Sequence, residues 1–96
     1  MQFTEFDAAE YFTDEETIAI YLTDALTNGS EEEFILALKN VARARGITQL
    51  AKDTGLARES LYKTLSGESK PRFETINKIA AALGLNVVFT PKSVAL

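Results

Sequence analysis

Neither cysteine nor histidine occurs anywhere in the 96 residues of this chain. Without thiols there is no disulfide framework, no thiolate zinc site and no cysteine nucleophile. Without imidazole as well, a metal could be held only by carboxylates, and no imidazole-based triad can be assembled. An enzyme is therefore not expected, and neither is a cofactor. No apolar run approaches the roughly 20 residues of a membrane span, so no membrane partner is expected. The first seven residues, Met-Gln-Phe-Thr-Glu-Phe-Asp, are acidic rather than basic followed by apolar, which is not the pattern of a signal peptide. These absences point to a cytoplasmic protein.

Basic residues are missing from the whole first part of the chain. Residues 1–38 hold ten acids (among them Asp14, Glu15, Glu16, Glu31, Glu32 and Glu33) and no Lys or Arg. Residues 39–96 hold all ten bases against Asp53, Glu59, Glu68 and Glu74, an excess of six positive charges. The formal net charge of −4 thus conceals two regions of opposite sign, and a polyanion responds to the local field. At this length the chain is a single domain with a modest core.

What is present is mostly helical pattern. After an arm (1–12) carrying Phe3, Phe6, Tyr11 and Phe12, Thr13-Asp-Glu-Glu16 reads as a capping box. The arm's rings either pack onto the chain's own core or dock on a partner. Ile18, Tyr21, Leu22, Ala25 and Leu26 form one stripe, and Asn28-Gly29 ends that helix. Ser30-Glu-Glu-Glu33 is a second capping box, followed by Phe34, Leu38, Val41 and Ala42, with Ile35 alongside, up to Gly46. These two helices make an acidic pair over 13–46. Capping accounts for the Glu31–Glu33 triplet without any metal or acid–base role. A last helix over 72–84 follows Pro71, with Phe73, Ile76, Ile79, Ala80 and Leu83 on its apolar side.

Between these lies 47–67, which reads as two short helices joined by a tight turn. Leu50 and Ala51 belong to the first, Leu61 and Leu65 share one face of the second, and Gly55-Leu56 makes the turn. This is the spacing of a helix-turn-helix whose second helix enters the DNA major groove. At about 100° per residue, Leu61 and Leu65 point inward, so Lys63 is the outward pole, flanked by Glu59 and Ser60. Arg58 lies at the seam and Tyr62 on the edge. Such a face can donate to guanine, accept from cytosine and bond phosphates. The same residues also fit a solvated surface with a Glu59–Lys63 ion pair at i, i+4.

Leu85-Asn86-Val87-Val88-Phe89-Thr90 is β-branched and aromatic, and Pro91 ends it, so a short strand is expected over 85–90. A lone strand needs covering. The same strand of a second copy would supply an antiparallel partner and a two-fold dimer. A short extended tail packed on the last helix is the alternative.

The chain resembles the HigA-like antitoxins of the XRE helix-turn-helix superfamily. The resemblance is carried by Ile20-Tyr21-Leu22, Val41-Ala42-Arg43-Ala44-Arg45-Gly46, Thr48-Gln49-Leu50-Ala51, Gly55-Leu56, Arg58-Glu59-Ser60-Leu61-Tyr62-Lys63 and Ala82-Leu83-Gly84-Leu85. It implies an all-α, five-helix, lambda-repressor-like helix-turn-helix domain, here with a short C-terminal β-strand. It also implies two activities: binding a small basic toxin of the RelE/ParE type, and repressing its own operon by binding double-stranded operator DNA. By position, Gln49 would touch phosphate or brace the second motif helix. Arg58, Glu59, Ser60 and Lys63 would face the bases, with Tyr62 beside them, and Lys70 and Arg72 would meet the flanking backbone. Two positions depart from the pattern. Ala57 stands where a Ser or Thr commonly caps the second motif helix, forfeiting about 1 kcal/mol, and Arg72 occupies the cap of the last helix. The other readings are a stand-alone prophage-type repressor without a toxin, and a protein-interaction module with a vestigial motif.

Overall fold

Capping and periodicity produce five helices among the described residues of this computed structural model, which are Phe12 and 14–92. They are α1 (Glu15–Asn28), α2 (Glu31–Arg45), α3 (Ile47–Thr54), α4 (Arg58–Ser66) and α5 (Phe73–Ala82). The cap of α1 is Asp14 rather than the expected Thr13, which itself lies outside the described residues. The Thr17 N–H donates to Asp14 Oδ1 at 2.7 Å, and the Thr17 hydroxyl donates to Oδ2 at 3.1 Å. A carboxylate caps as well as a hydroxyl and adds a favourable charge at the positive end of the helix, so the start moves one residue along. The Ser30 box forms as read. The Glu33 N–H donates to Ser30 Oγ at 3.1 Å and the Ser30 N–H donates to Glu33 Oε1 at 2.6 Å.

One core runs through all five helices. It contains Ile18 and Leu22 of α1, Leu38, Val41 and Ala42 of α2, Leu50 of α3, Leu61 and Leu65 of α4, and Ile79 of α5 with Leu83 just after it. Each fully buried leucine or isoleucine contributes about 1.5–3 kcal/mol relative to exposure. α2 is the hub, packing on α1, α3 and α4, while α5 closes the core against α3. Phe12 is buried in that core with its ring 4.6 Å from Tyr21, centroid to centroid, so this ring of the arm packs internally. Phe3, Phe6 and Tyr11 lie outside the described residues. The Tyr21 hydroxyl in turn accepts from Asn40 Nδ2 at 3.1 Å, bonding α1 to α2.

Three expectations are corrected. Leu26 is 63% exposed; its direction lies about 80° from that of Ile18 at the helical rotation of 100° per residue, at the edge of the stripe. Phe73 is 65% exposed, because it sits in the first turn of α5 at the edge of the face defined by Ile76, Ile79 and Leu83. No strand forms over 85–90 among the described residues. Leu85 packs on the core, but Val87, Val88 and Phe89 are exposed, Phe89 to 96%. A strand is defined by a ladder of backbone hydrogen bonds, and the described chain offers no second strand to make one.

The end of α5 is instead set by a Schellman motif. Gly84 takes φ 83°, its N–H donates to the Ala81 carbonyl at 3.0 Å, and the Leu85 N–H donates to the Ala80 carbonyl at 2.9 Å. Leu85 is thereby folded back onto the core as the following chain leaves it.

Candidate nucleic-acid interface

The α3–α4 corner is built from local chemistry. Gly55 adopts φ 75°, a left-handed conformation that ends α3 and turns the chain toward α4. Thr54 braces the turn from both sides. Its hydroxyl donates to the Leu50 carbonyl at 2.8 Å and accepts from the Leu56 N–H at 3.2 Å. Leu56 is half-buried against the core, filling the corner as its position predicts. Ala57 precedes α4 without any side-chain cap. Leu61 and Leu65 are buried beneath α4 and hold it against α2 and α3. At its far end the Ser66 hydroxyl donates to the Lys63 carbonyl at 2.8 Å and accepts from the Glu68 N–H at 3.2 Å.

With its inner face pinned, α4 turns Arg58, Glu59, Ser60, Tyr62 and Lys63 outward, all exposed. Glu59, Ser60 and Lys63 have no side-chain hydrogen bond or ion pair to any described residue, so the Glu59–Lys63 pair of the alternative reading does not form. Arg58 is engaged. Its Nη2 donates to Tyr62 Oη at 3.3 Å, and its guanidinium lies 5.9 Å from the centre of the Tyr62 ring. That contact holds Arg58 beside Tyr62 at the edge of α4, apart from the outward pole at Lys63.

The remaining expected residues lie outside α4. Gln49 is exposed, and its Nε2 donates to Asp53 Oδ1 at 2.9 Å, one turn along the same helix. Lys70 lies 4.0 Å from Glu31, in a groove where Glu32 and Glu68 are also present. Arg72 immediately precedes α5 and is exposed, without a side-chain partner among the described residues.

Two further cations lie beside α4. Lys39 and Arg43, one turn apart on α2, line a groove with Thr48 of α3 and Arg58, Tyr62 and Ser66 of α4. Among the described residues, the charged side chains lining this groove are Lys39, Arg43 and Arg58. The i, i+4 pair of bases was visible as a signal on α2, but only the packing of α4 on α2 shows that it joins Arg58.

These observations define a small all-helical protein with a helix-corner-helix unit that presents a polar, cation-bearing helix. The model of the family described as "probable addiction module antidote protein" matches residues 2–91, and the chain belongs to that family. It is 45% identical over 84 residues to an uncharacterized protein of Haemophilus influenzae, covering 88% of this chain and 87% of that one. No solved structure matches the chain. An antidote of an addiction module is not an enzyme and implies a cognate toxin. Among the described residues no helix is long and apolar enough to cross a membrane.

Proposed function

We propose that the protein is a HigA-like, XRE-type antitoxin that silences a small basic RelE/ParE-like toxin by binding it and represses its own operon by binding operator DNA as a dimer. Family membership supports the antidote role. The observation that carries the DNA half is the outward row Glu59, Ser60 and Lys63, uncommitted to any described neighbour on a helix whose opposite side is locked into the core. Such a helix can enter the major groove, with Lys63 donating to guanine and Glu59 accepting from cytosine. A two-fold dimer would set two copies of α4 about 34 Å apart, one turn of the duplex. The acids suited to a basic toxin sit in the first turns of α1 and α2, which carry Glu15 and Glu16, and Glu31, Glu32 and Glu33.

Co-expression with the adjacent reading frame tests the toxin half. Rescue of growth together with a co-purifying complex is expected, and a neighbour that is harmless and does not co-purify would refute it. For the DNA half, a duplex from the region upstream of the gene is titrated against a scrambled duplex of equal length and composition. Preference for the upstream duplex, lost in Lys63→Glu, is expected. A charge-reversed protein that still selects that duplex would refute operator reading by α4.

A further inference from the structure

The outward side of α1 carries a shallow groove lined by Ala19, Ile20, Thr23, Asp24, Thr27 and Asn28, all of them residues of α1 itself. Ile20 is its one large apolar side chain. It is 64% exposed, whereas Ile18, two positions earlier, is buried in the core. Glu16 lies one turn before Ile20 on the same face and Asp24 one turn after it, both exposed. Neither carboxylate is in an ion pair with a described residue. Among the described residues Asp24 accepts from the neutral amide of Asn28, Nδ2 to Oδ1 at 2.7 Å, and Glu16 has no side-chain hydrogen bond. On α5, by contrast, Glu74 is paired with Lys78 at 3.7 Å. No such pair can form within α1, because residues 1–38 contain no Lys or Arg.

These charges decide between occupants. Two copies docked antiparallel through this face, around Ile20, would set Glu16 of each against Asp24 of the other, like charge against like as water leaves. A protein surface with Lys or Arg around an apolar pocket satisfies both features, since the isoleucine fills the pocket and the carboxylates meet its rim. We infer that the Glu16–Ile20–Asp24 face of α1 is the docking surface for a basic protein, with Ile20 as the apolar anchor and the two carboxylates steering its approach. This rests on the toxin half of the reading above and assigns the grip to one face of one helix.

The test uses the full chain and the purified product of the adjacent reading frame, with association and dissociation followed by biolayer interferometry at low and at physiological salt. Ile20→Ala is expected to raise Kd at least about tenfold, chiefly through faster dissociation. Asp24→Lys is expected to slow association and to flatten its dependence on salt, while Glu74→Lys, the same charge change on α5, keeps the wild-type rate. Alanine is the better helix former, so Ile20→Ala should unfold at or above the wild-type temperature. A lower temperature would mean that the chain itself covers Ile20, and would overturn the inference. So would a smaller sedimenting species in Ile20→Ala, which would give the face to a second copy. Equal slowing by Glu74→Lys and Asp24→Lys would assign the effect to net charge and overturn it as well. Wild-type binding by both Ile20→Ala and Asp24→Lys overturns the face and leaves the toxin reading standing. A wild-type chain that binds no such product overturns both.

Discussion

The guanidinium of Arg45, at the end of α2, donates from Nη1 to the Ala82 carbonyl at the end of α5, 3.1 Å away and 37 residues further along the chain. A cation at this point meets the negative end of α5 and satisfies one of the carbonyls that a helix leaves open at its C-terminus. Arg45→Ala removes a charge-assisted hydrogen bond in a half-buried setting, and a loss of about 1–2 kcal/mol is expected. Urea unfolding measures it. An unchanged midpoint would show that solvent replaces the bond at no cost.

Leu61 and Leu26 should respond in opposite ways to the same truncation. Leu61 is fully buried beneath α4, so Leu61→Ala is expected to cost about 2–5 kcal/mol through lost burial and a residual cavity. Leu26 projects from α1, and Leu26→Ala should change stability by no more than about 0.5 kcal/mol. Equal effects in denaturant titrations would mean that the Leu26 side chain is covered in solution.

Ala57 gives a prediction of gain. It holds extended backbone angles (φ −68°, ψ 147°) before α4 and offers no side-chain acceptor. Ala57→Ser places an oxygen where a first-turn N–H of α4 can donate to it, and about 0.5–2 kcal/mol of added stability is expected. A higher melting temperature is the readout; no rise would place that N–H with another acceptor.

The 85–90 segment tests the dimer proposal. Val88 and Phe89 are exposed apolar side chains on a segment that has no ladder partner among the described residues. If two copies pair there, sedimentation of wild type gives twice the 10.5 kDa chain mass, and the double variant Val88→Lys, Phe89→Lys sediments as the monomer. A dimer untouched by that change would place the two-fold contact elsewhere.

Most of the local architecture was legible because it depends on near neighbours in the chain. The Ser30 box needs only Glu33 three residues on, and the α3–α4 corner needs only Gly55 and the leucine spacing. The errors fell where a neighbour could substitute or where a stripe ran out. Asp14 capped in place of Thr13, and Leu26 and Phe73 sat at the rims of otherwise correct apolar faces. The strand failed for a different reason, since β propensity describes a residue's fit to a sheet and not the presence of a partner.

By itself, then, the sequence determined the five helices, the Ser30 cap, the corner before α4 and the outward row Glu59, Ser60 and Lys63. Each of these follows from contacts within a few residues. Only the tertiary structure decided that Arg45 caps α5 and that Lys39 and Arg43 share a groove with Arg58 and Tyr62. Residues far apart in the chain become neighbours only when the buried leucines of α2 and α4 choose which helix faces meet, and no spacing rule along a single helix contains that choice.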